Sequence, residues 1–403
     1  MKHVIIGNGP AGVIAAEALR RLDPDCEIAL IGSEAAPPYS RMAIPYFLMG
    51  SIPEAGAYLR KGNEHFARNG IRQVAGRVVR VAAASNEVEL ENGERLRYDR
   101  LLIASGSLPL RPPVVGMDLP GVHTCWTLAD AREIVAKAKP GTRVLQLGAG
   151  FIGCIIMEAL AARGVKLTVV EMGDRMVPRM MTERAGAMIR RWVEKKGVAV
   201  HVNTRVDAIE AGTGKGLLGK VVGLVTGDGG TSAAMRVKLS SGQTLEADLV
   251  MCAAGVTPNV GFLAGSGVKI GRGIRVDAGM QTSVPGVYAA GDVTEAAGFH
   301  SGDPQLNAIQ PNAADQARVA AANMAGRQAV TQGSLAINVL DTLGLISTSF
   351  GQWWGEEKDA GGDGVELADE AGGRYLSLQF KDDILIGATS VGWTERITRR
   401  TGR

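Results

Sequence analysis

The segment HVIIGNGPAG, residues 3–12, places a GxGxxG turn directly after an apolar run of strand-forming residues. The segment RVLQLGAGFIG, residues 143–153, repeats this arrangement later in the chain. Each turn leads through small residues into a second β-branched run, and an acidic residue follows that run, Glu34 or Glu171. In such a strand–turn–helix–strand unit the glycines admit a pyrophosphate and the acid accepts hydrogen bonds from a ribose. The two units therefore predict two dinucleotide sites in one α/β chain.

Each glycine of the first turn has a separate predicted task. Gly7 permits the tight bend, Gly9 brings backbone amides to the pyrophosphate, and Gly12 lets the helix pack closely on the strand. Pro10 and Ala11 begin that helix, whose N-terminus adds about half a positive charge toward the phosphates. The alternative is a tight β–α turn that binds no ligand.

Three further side chains are candidates for the first site. Glu34 follows the strand end, although Ser33 competes with it as the group that meets the ribose. Asp292 ends the sequence AAGD, where a carboxylate can accept from ligand hydroxyls while the amide of Gly291 faces a phosphate. Arg41, in the loop PPYSR, could pair with a pyrophosphate or stack on adenine, and a solvated loop arginine is the alternative.

The second turn carries the same prediction with a more clearly placed acid. A carboxylate at Glu171 accepts from both ribose hydroxyls and repels a 2′-phosphate, so NADH is favoured over NADPH. Arg175 and Arg179 follow closely and weaken that preference. The alternative for Glu171 is a solvated charge at a strand end. The predicted second site comprises Gly148, Gly150, Phe151, Ile152, Gly153 and Glu171.

Composition bounds the class of protein. The chain has 403 residues, sufficient for two to three domains, and its formal net charge of +3 is dispersed, so no nucleic-acid partner is expected. Its four cysteines form no CxxC pair, which favours a reducing, cytoplasmic location. The first strand begins at residue 3, so no leader is expected, and the apolar run 144–162 contains motif glycines, so no membrane helix is expected. Neither a metal-ligand cluster nor a nucleophile–base pair is visible, so we expect cofactors to supply the chemistry.

The remaining patterns suggest the domain organisation. A period-two pattern over 71–103 predicts a meander of strands, PLRPPVVG at 109–116 predicts a linker, and 304–326 is predicted to be helical. Residues 211–232 are rich in glycine and threonine and suggest a loose hairpin insertion. From about 335 a small separate α+β domain is expected. The predicted domains are 1–112 with 247–330, then 113–246, then 331–403.

Taken together, GNGPAG, IASG (103–106), GAGFIG with Glu171, CAAGVTPN (252–259) and VYAAGD (287–292) resemble the two-dinucleotide-binding-domain flavoproteins, the superfamily of glutathione reductase. The resemblance implies two Rossmann-like domains, FAD in the first, NADH in the second, and a C-terminal domain that forms a dimer interface, so a homodimer is a further expectation. It assigns FAD to Gly7, Gly9, Gly12, Glu34 and Asp292, and the IASG and CAAG motifs add Ala104 and Gly255 as cofactor contacts.

Within that superfamily, PPYSRMAIPYFLMG and the helix at 311–326 are similar to NADH:rubredoxin and ferredoxin reductases, and to the flavin-binding front half of assimilatory nitrite reductases. No cysteine stands in the segment 42–45, where related disulfide and coenzyme A disulfide reductases carry theirs. Tyr46, Gln310 and Ile155 also depart from the pattern of the group. The resemblance implies an NAD(P)H-dependent FAD oxidoreductase that passes electrons to a small redox protein without a disulfide. The alternative is an FAD-binding subunit of a larger redox complex; a membrane quinone reductase is a weaker third reading.

Overall fold

The structure is a computed structural model that describes residues 1–62, 64–212, 234–299 and 301–393. The predicted insertion at 211–232 therefore lies outside the described residues from 213 onward. All the residues predicted to contact cofactors are described.

Seven α-helices lie within the described residues. They are α1 Pro10–Leu22, α2 Ile44–Met49, α3 His65–Arg68, α4 Leu128–Lys137, α5 Phe151–Ala162, α6 Glu183–Lys195 and α7 Gln310–Met324. The helix predicted at 304–326 is shorter, because Pro304–Gln305 form a strand instead.

The strands of the first half of the chain are β1 Lys2–Ile6, β2 Glu27–Gly32, β3 Ile71–Ala75, β4 Val78–Ala82, β5 Glu87–Leu90, β6 Arg95–Arg97, β7 Arg100–Ile103, β8 Ser107–Pro109, β9 Val122–His123, β10 Arg143–Leu147, β11 Lys166–Val170, β12 Ala199–His201 and β13 Val206–Ala211. Those of the second half are β14 Met235–Leu239, β15 Thr244–Ala247, β16 Leu249–Cys252, β17 Val256–Pro258, β18 Ile274–Arg275, β19 Val287–Ala289, β20 Thr294–Ala297, β21 Pro304–Gln305, β22 Ile337–Thr342, β23 Leu345–Gly351, β24 Gly362–Asp369, β25 Arg374–Lys381 and β26 Ile384–Val391.

The chain divides into two compact units, each built from three separate segments. The first consists of Met1–Ala43, Ile52–Leu108 and Val256–Ala336. The second consists of Ile44–Ser51, Pro109–Gly255 and the chain from Ile337 onward. The C-terminal segment, expected to be a domain of its own, is thus grouped with the second unit. The division into three domains remains a prediction.

The first unit is organised around a parallel five-stranded sheet of order β19-β7-β1-β2-β3. Its central strand is buried on both faces, with Ile5 in one apolar cluster and Val4 and Ile6 in the other. This explains why the strand is a continuous apolar run and does not alternate. Of the predicted meander, only β4, β5 and β6 form an antiparallel sheet, while β3 and β7 join the parallel one.

Helices α1 and α7 pack together on one face of this sheet through small side chains. Ala11 and Ala15 of α1 share a buried cluster with Ala317 and Ala321 of α7. Alanine at these positions allows the helix axes to approach closely, since interaxial distance depends on the side chains at the contact. The N-termini of both helices therefore lie near the AAGD turn, as the contacts of Gly291 with Ala11 and Ala313 show.

The second unit repeats this plan. Its parallel sheet has the order β12-β11-β10-β16-β9, and β13, β14 and β15 form a three-stranded antiparallel sheet like that of the first unit. Leu145 and Leu147 on β10 enter the apolar core of this unit. The two GxGxxG turns therefore follow the central strands of two equivalent parallel sheets, the position at which dinucleotides bind in such folds.

The C-terminal segment is an antiparallel sheet of order β22-β23-β26-β25-β24. The α+β prediction is correct for its strands, but within residues 337–393 the only helical turn is the short 3₁₀ segment Lys358–Ala360. Helix α6 contacts this segment through several hydrogen bonds, of which two involve neutral side chains. The Thr182 hydroxyl, at the start of the helix, donates to the Tyr375 hydroxyl at 2.8 Å. The Trp192 indole N–H donates to the Leu343 carbonyl at 3.1 Å.

Candidate dinucleotide-binding sites

The first turn has the geometry that its glycines predict. Gly7 has a φ of +107°, and a Cβ there would overlap the carbonyl oxygen of Ala104. A Cβ at Gly12 would in turn overlap the carbonyl oxygen of Gly7. The Gly7 amide donates to the Ile31 carbonyl at 2.9 Å, which ties the turn to β2. Both positions therefore require glycine because of the protein backbone itself.

Gly9 differs from these two glycines, because the protein itself does not require glycine at this position. It is the N-cap of α1, with an ordinary φ of −74°, and apart from its chain neighbours no protein atom lies within 4 Å of where its Cβ would be. The space beside it is open, and no side chain caps the first turn of the helix. By contrast, α4 and α6 are capped by the hydroxyls of Thr127 and Thr182. An uncapped helix start beside open space is suited to a phosphate, which would satisfy the amides that a cap otherwise satisfies.

The second turn has the same three contacts in the same order. Gly148 has a φ of +93°, and a Cβ there would overlap the Ala253 carbonyl oxygen. A Cβ at Gly153 would overlap the Gly148 carbonyl oxygen. Gly150 is the N-cap of α5, has a φ of −72°, lacks a side-chain cap and faces open space. The next residue, Phe151, begins the helix, just as Pro10 begins α1.

A buried glutamine holds the second turn in place, and sequence reasoning missed it. The Gln146 side-chain amide donates to the carbonyls of Gly148 and Gly153, both at 2.9 Å. Gln146 is fully buried in β10. The sequence did contain an indication of this role, because a glutamine inside the apolar strand RVLQL is buried and needs hydrogen-bond partners there.

Glu171 lies beside the second turn, as predicted. One carboxylate oxygen accepts from the Ala149 amide at 2.6 Å and the other accepts from the Gly173 amide at 2.7 Å. Each carboxylate oxygen has two acceptor sites, so both oxygens retain capacity for ligand hydroxyls. The two amide bonds fix the orientation of the carboxylate before a ligand arrives.

The two arginines that could oppose Glu171 differ in their surroundings. The Arg175 guanidinium pairs with Asp174 at 2.7 Å and donates to the Met181 carbonyl at 3.0 Å. To meet a 2′-phosphate, Arg175 would have to give up these contacts. Arg179 is exposed. The structure therefore leaves Arg179 as the more available cation of the two.

The structure brings together Glu34 and Arg41, two residues of the first unit that the sequence singled out, and joins Tyr39 to them. Arg41 donates to one Glu34 oxygen at 2.7 Å and Tyr39 donates to the other at 2.6 Å. The Arg41 guanidinium also lies over the Tyr39 ring, 5.5 Å from its centroid. Ser33, the competing residue, is exposed. The Arg41 side chain is thus held by an ion pair and is not merely a solvated loop arginine.

The Asp292 side chain, at the end of the AAGD turn, is largely shielded from solvent. Burial raises the pKa of its carboxyl, while a hydrogen bond from the Ser107 hydroxyl at 3.1 Å and the charge of Arg41 act in the opposite direction. A buried carboxylate retains acceptor capacity that ligand hydroxyls can use. Ser107 is therefore a contact of this site that the sequence did not indicate.

Gly291 packs between the N-terminal ends of α1 and α7. Its φ is +85°, and a Cβ there would lie 3.2 Å from the Ala11 Cβ and 3.5 Å from the Ala313 Cβ. The Gly291 amide donates to the Gln316 side-chain oxygen at 2.8 Å, and Thr294 donates to the same oxygen at 3.0 Å. Gln316 thus anchors the turn on α7, another contact that sequence reasoning missed.

The other positions that the sequence singled out lie outside the two turns, apart from Ile152. Gly255 has a φ of +110° and belongs to the second unit, where its carbonyl accepts from the Leu110 amide at 2.9 Å. Ile152 is half-buried in the first turn of α5. Gln310, at the start of α7, accepts a hydrogen bond from Ser40 at 2.7 Å. Tyr46 is 54% exposed.

All four cysteines are described, and each is free and buried. Burial raises the pKa of the Cys125 and Cys154 thiols to about 12. Because the thiolate is the reactive form, thiols of this kind are chemically inert. The structure therefore contains no thiol poised for disulfide exchange.

A family model for the pyridine nucleotide-disulphide oxidoreductases matches residues 1–329 of the chain. The chain belongs to this family. Its members bind FAD and NAD(P)H and act as NAD(P)H-dependent oxidoreductases, so the predicted fold class, enzyme class and cofactors are confirmed. No helix among the described residues is both long enough and apolar enough to cross a membrane.

Three known proteins are similar to this chain over most of its length. The epsilon subunit of the NADH-dependent phenylglyoxylate dehydrogenase of Aromatoleum evansii is 32% identical over 385 residues, 95% of this chain and 86% of that one. The ferredoxin–NAD(+) reductase component of the biphenyl dioxygenase system of Paraburkholderia xenovorans is 33% identical over 72% of this chain and 66% of its own length. The solved structure of an NAD-dependent persulfide reductase from A. fulgidus superposes with a TM-score of 0.86 at 26% identity, covering 99% of this chain and 75% of that one.

Proposed function

We propose that this oxidoreductase passes electrons from NADH through FAD to a small redox protein of the rubredoxin or ferredoxin type, without a redox-active thiol. The observation that carries the proposal is the pair of equivalent turns, each an uncapped helix start beside open space, in a chain whose four cysteines are all buried. Two dinucleotides in one chain allow transfer between them, and the lack of an accessible thiol leaves FAD as the group that delivers electrons.

The first unit is assigned to FAD. Gly7, Gly9 and Gly12 shape the turn, and Pro10 and Ala11 start the helix that faces the pyrophosphate. The residues that carry side-chain or backbone contacts to the rest of FAD would be Glu34, Arg41, Ala104, Gly291 and Asp292. The ion pair between Glu34 and Arg41 supports this assignment, because it holds an acceptor and a cation beside the end of β2.

The second unit is assigned to NADH. The amides at the start of α5 would meet the pyrophosphate, and Glu171 would accept from the ribose hydroxyls. Gln146 acts indirectly, since it fixes the carbonyls of Gly148 and Gly153 and thereby the shape of the turn. When bound, FAD supplies the capacity to accept a hydride and to release electrons singly.

One comparison favours a second candidate function. The phenylglyoxylate dehydrogenase subunit matches 95% of this chain, including the region of the C-terminal sheet. The chain would then serve as the electron-entry subunit of a larger complex. That sheet presents exposed apolar side chains, Val365, Leu367 and Ile384 among them, which suit either a docking surface or the homodimer face.

The two candidates make different predictions for the purified protein. We expect the first candidate to give a homodimer in size-exclusion chromatography and fast anaerobic reduction of rubredoxin or ferredoxin by NADH. A protein that reduces artificial dyes but none of a panel of small redox proteins, and that elutes as a monomer, would favour the subunit. Failure to reduce any acceptor with NADH would contradict both.

We expect the purified protein to hold one FAD per chain without a covalent bond. The first turn, residues 7–12, contains no cysteine or histidine, and the thiol of Cys154, which follows the second turn, is fully buried. Heating should therefore release FAD into the supernatant, identified by chromatography against FAD and FMN standards. Release of FMN, or flavin that stays with the precipitated chain, would contradict the assignment.

We expect a variant in which all four cysteines are replaced by alanine or serine to keep dye reduction by NADH within about twofold of the wild type at 25 °C. The reason is that no thiol takes part in electron transfer, since burial keeps the pKa of Cys125 and Cys154 at about 12. Flavin content per chain is the control for correct folding. A variant that retains FAD but loses turnover would overturn the thiol-free mechanism.

A further inference from the structure

Three potential metal ligands meet at the edge of the first unit's sheet where β1 and β2 begin. His3 lies in β1, Asp23 directly follows α1, and Cys26 directly precedes β2. One ligand atom from each lies within 4.8 Å of the other two. His3 is 1% exposed and Cys26 is 3% exposed, while Asp23 is half-buried.

The His3 ring supplies an independent observation. Both of its nitrogens are buried, and neither has a hydrogen-bond partner among the described residues. A buried polar atom without a hydrogen-bond partner is destabilising, so native proteins rarely leave one unsatisfied. An imidazole nitrogen beside a thiol and a carboxylate can be satisfied by a metal ion.

We propose that His3, Asp23 and Cys26 bind a zinc ion through an imidazole nitrogen, a carboxylate oxygen and Sγ. These donors are the ones that zinc takes in proteins, at about 2.0–2.3 Å. In a tetrahedral site, donors at such distances lie roughly 3.4–3.8 Å from one another. The three atoms all lie within 4.8 Å of one another, so small side-chain adjustments bring them to that spacing. The half-buried Asp23 marks the side where water would occupy the fourth position.

The charges of the three ligands suit a divalent cation. Binding requires the Cys26 thiol to release its proton to solvent, after which the thiolate and the Asp23 carboxylate carry two negative charges. Of the surrounding groups, Asp99 adds to the attraction, whereas Arg20, Arg100 and the N-terminal ammonium oppose it. Arg20 already donates to the Asn69 and Gly70 carbonyls at 2.7 and 2.9 Å. Direct coordination, more than the surrounding field, would therefore hold the ion.

The position of the cluster indicates a structural role. His3 lies at the beginning of β1 and the Gly7 turn lies at its end, so roughly 13 Å of strand separates the zinc ligands from the FAD turn. The ion would tie the start of β1 to the end of α1 and the start of β2. The sequence predicts no metal site because only Asp23 and Cys26 are close together in the chain.

The test uses the full-length FAD-loaded protein, treated with a chelator, dialysed, and then supplied with zinc chloride alone. Metal content is measured by mass spectrometry, and affinity by competition with a zinc-binding dye. We expect one zinc per chain for the wild type, and affinity lower on the order of 100-fold for Cys26→Ser and for Asp23→Asn. Cys125→Ser, which alters a buried thiol outside the cluster, is the matched control and should bind zinc like the wild type.

Two further measurements, thermal stability with zinc and absorption with cobalt, test whether Cys26 is a ligand of the ion. Zinc should raise the Tm of the wild type and of Cys125→Ser but not that of Cys26→Ser. Cobalt should produce a thiolate-to-metal absorption band, seen as a difference spectrum, only when Cys26 is present. Flavin content and NADH-driven dye reduction should be equal in all variants, which verifies their folding. Absence of stoichiometric zinc in the wild type would overturn the proposal, as would a zinc affinity in Cys26→Ser and Asp23→Asn equal to that of the wild type.

Discussion

Gly9→Val should abolish FAD binding, whereas Gly150→Val should retain FAD and abolish reduction of the flavin by NADH. Apart from the neighbouring residues of the chain, no protein atom lies within 4 Å of the Cβ position at either glycine, so a Cβ meets no steric barrier from the fold. Both residues also have ordinary φ values, −74° and −72°. The valine side chain would instead occupy the space proposed for the pyrophosphate, so the loss falls on the ligand and not on the fold. Flavin absorbance per chain and its bleaching by NADH under anaerobic conditions provide the two measurements.

The matched control is Gly261→Val. Gly261 lies in the first unit, has open space around its Cβ position and needs no positive φ. We expect this variant to bind FAD and to react with NADH like the wild type. Gly12→Val is unsuitable as a test, because its side chain would overlap the Gly7 carbonyl and damage the fold. Loss of FAD from Gly9→Val and Gly150→Val alike would disprove the assignment of one cofactor to each turn.

NADH should exceed NADPH in kcat/KM by about 100-fold, because a 2′-phosphate would meet the Glu171 carboxylate. The two amide hydrogen bonds hold that carboxylate in place, at 2.6 and 2.7 Å, so it cannot easily turn away from a negative charge. A repulsion of about 2–3 kcal/mol is expected for such a pair, and each 1.4 kcal/mol corresponds to a factor of ten. Arg175 is paired with Asp174, so of the two arginines the exposed Arg179 is the more available counter-charge.

Glu171→Gln and Glu171→Ala separate the charge from the hydrogen bonds. The glutamine keeps the shape and one acceptor oxygen, and it should remove most of the discrimination by improving NADPH more than it harms NADH. The alanine should weaken NADH as well, since the ribose loses its acceptor. Arg179→Ala is the control, and it should leave the preference for NADH unchanged or larger. Steady-state kinetics with both coenzymes decides the question, and an unaltered preference in Glu171→Gln would show that the carboxylate does not discriminate.

The two turns could be predicted from sequence because their requirements are local. A GxGxxG segment between a strand and a helix demands a positive φ at its first glycine and close backbone contact at its third, and Gly7, Gly12, Gly148 and Gly153 meet those demands. Tyr39 and Arg41 are also close in sequence to Glu34, although the sequence predicted a ligand contact for Arg41 and not its ion pair with Glu34. Such features depend on residues that the chain itself keeps together.

The contacts that escaped prediction join distant parts of the chain. Ser107 reaches Asp292 and Gln316 reaches Gly291, and nothing in either local sequence indicates the partner. The same limitation applies to the C-terminal segment. Its strands were visible as alternating patterns, but its association with the second unit depends on contacts such as that between Thr182 and Tyr375. Only tertiary packing reveals those.

The interrupted construction of the first unit has a consequence for how the protein is synthesised. Strand β7 pairs with β1 on one side and with β19 on the other, yet β19 belongs to the last of the unit's three segments. During translation, more than a hundred residues are therefore synthesised between β7 and β19. Until β19 leaves the ribosome, one edge of β7, with Leu101, Leu102 and Ile103, remains unpaired. An apolar strand with an open edge readily pairs with other chains. We expect nascent chains, and fragments truncated before β19, to depend on chaperones and to aggregate when these are absent.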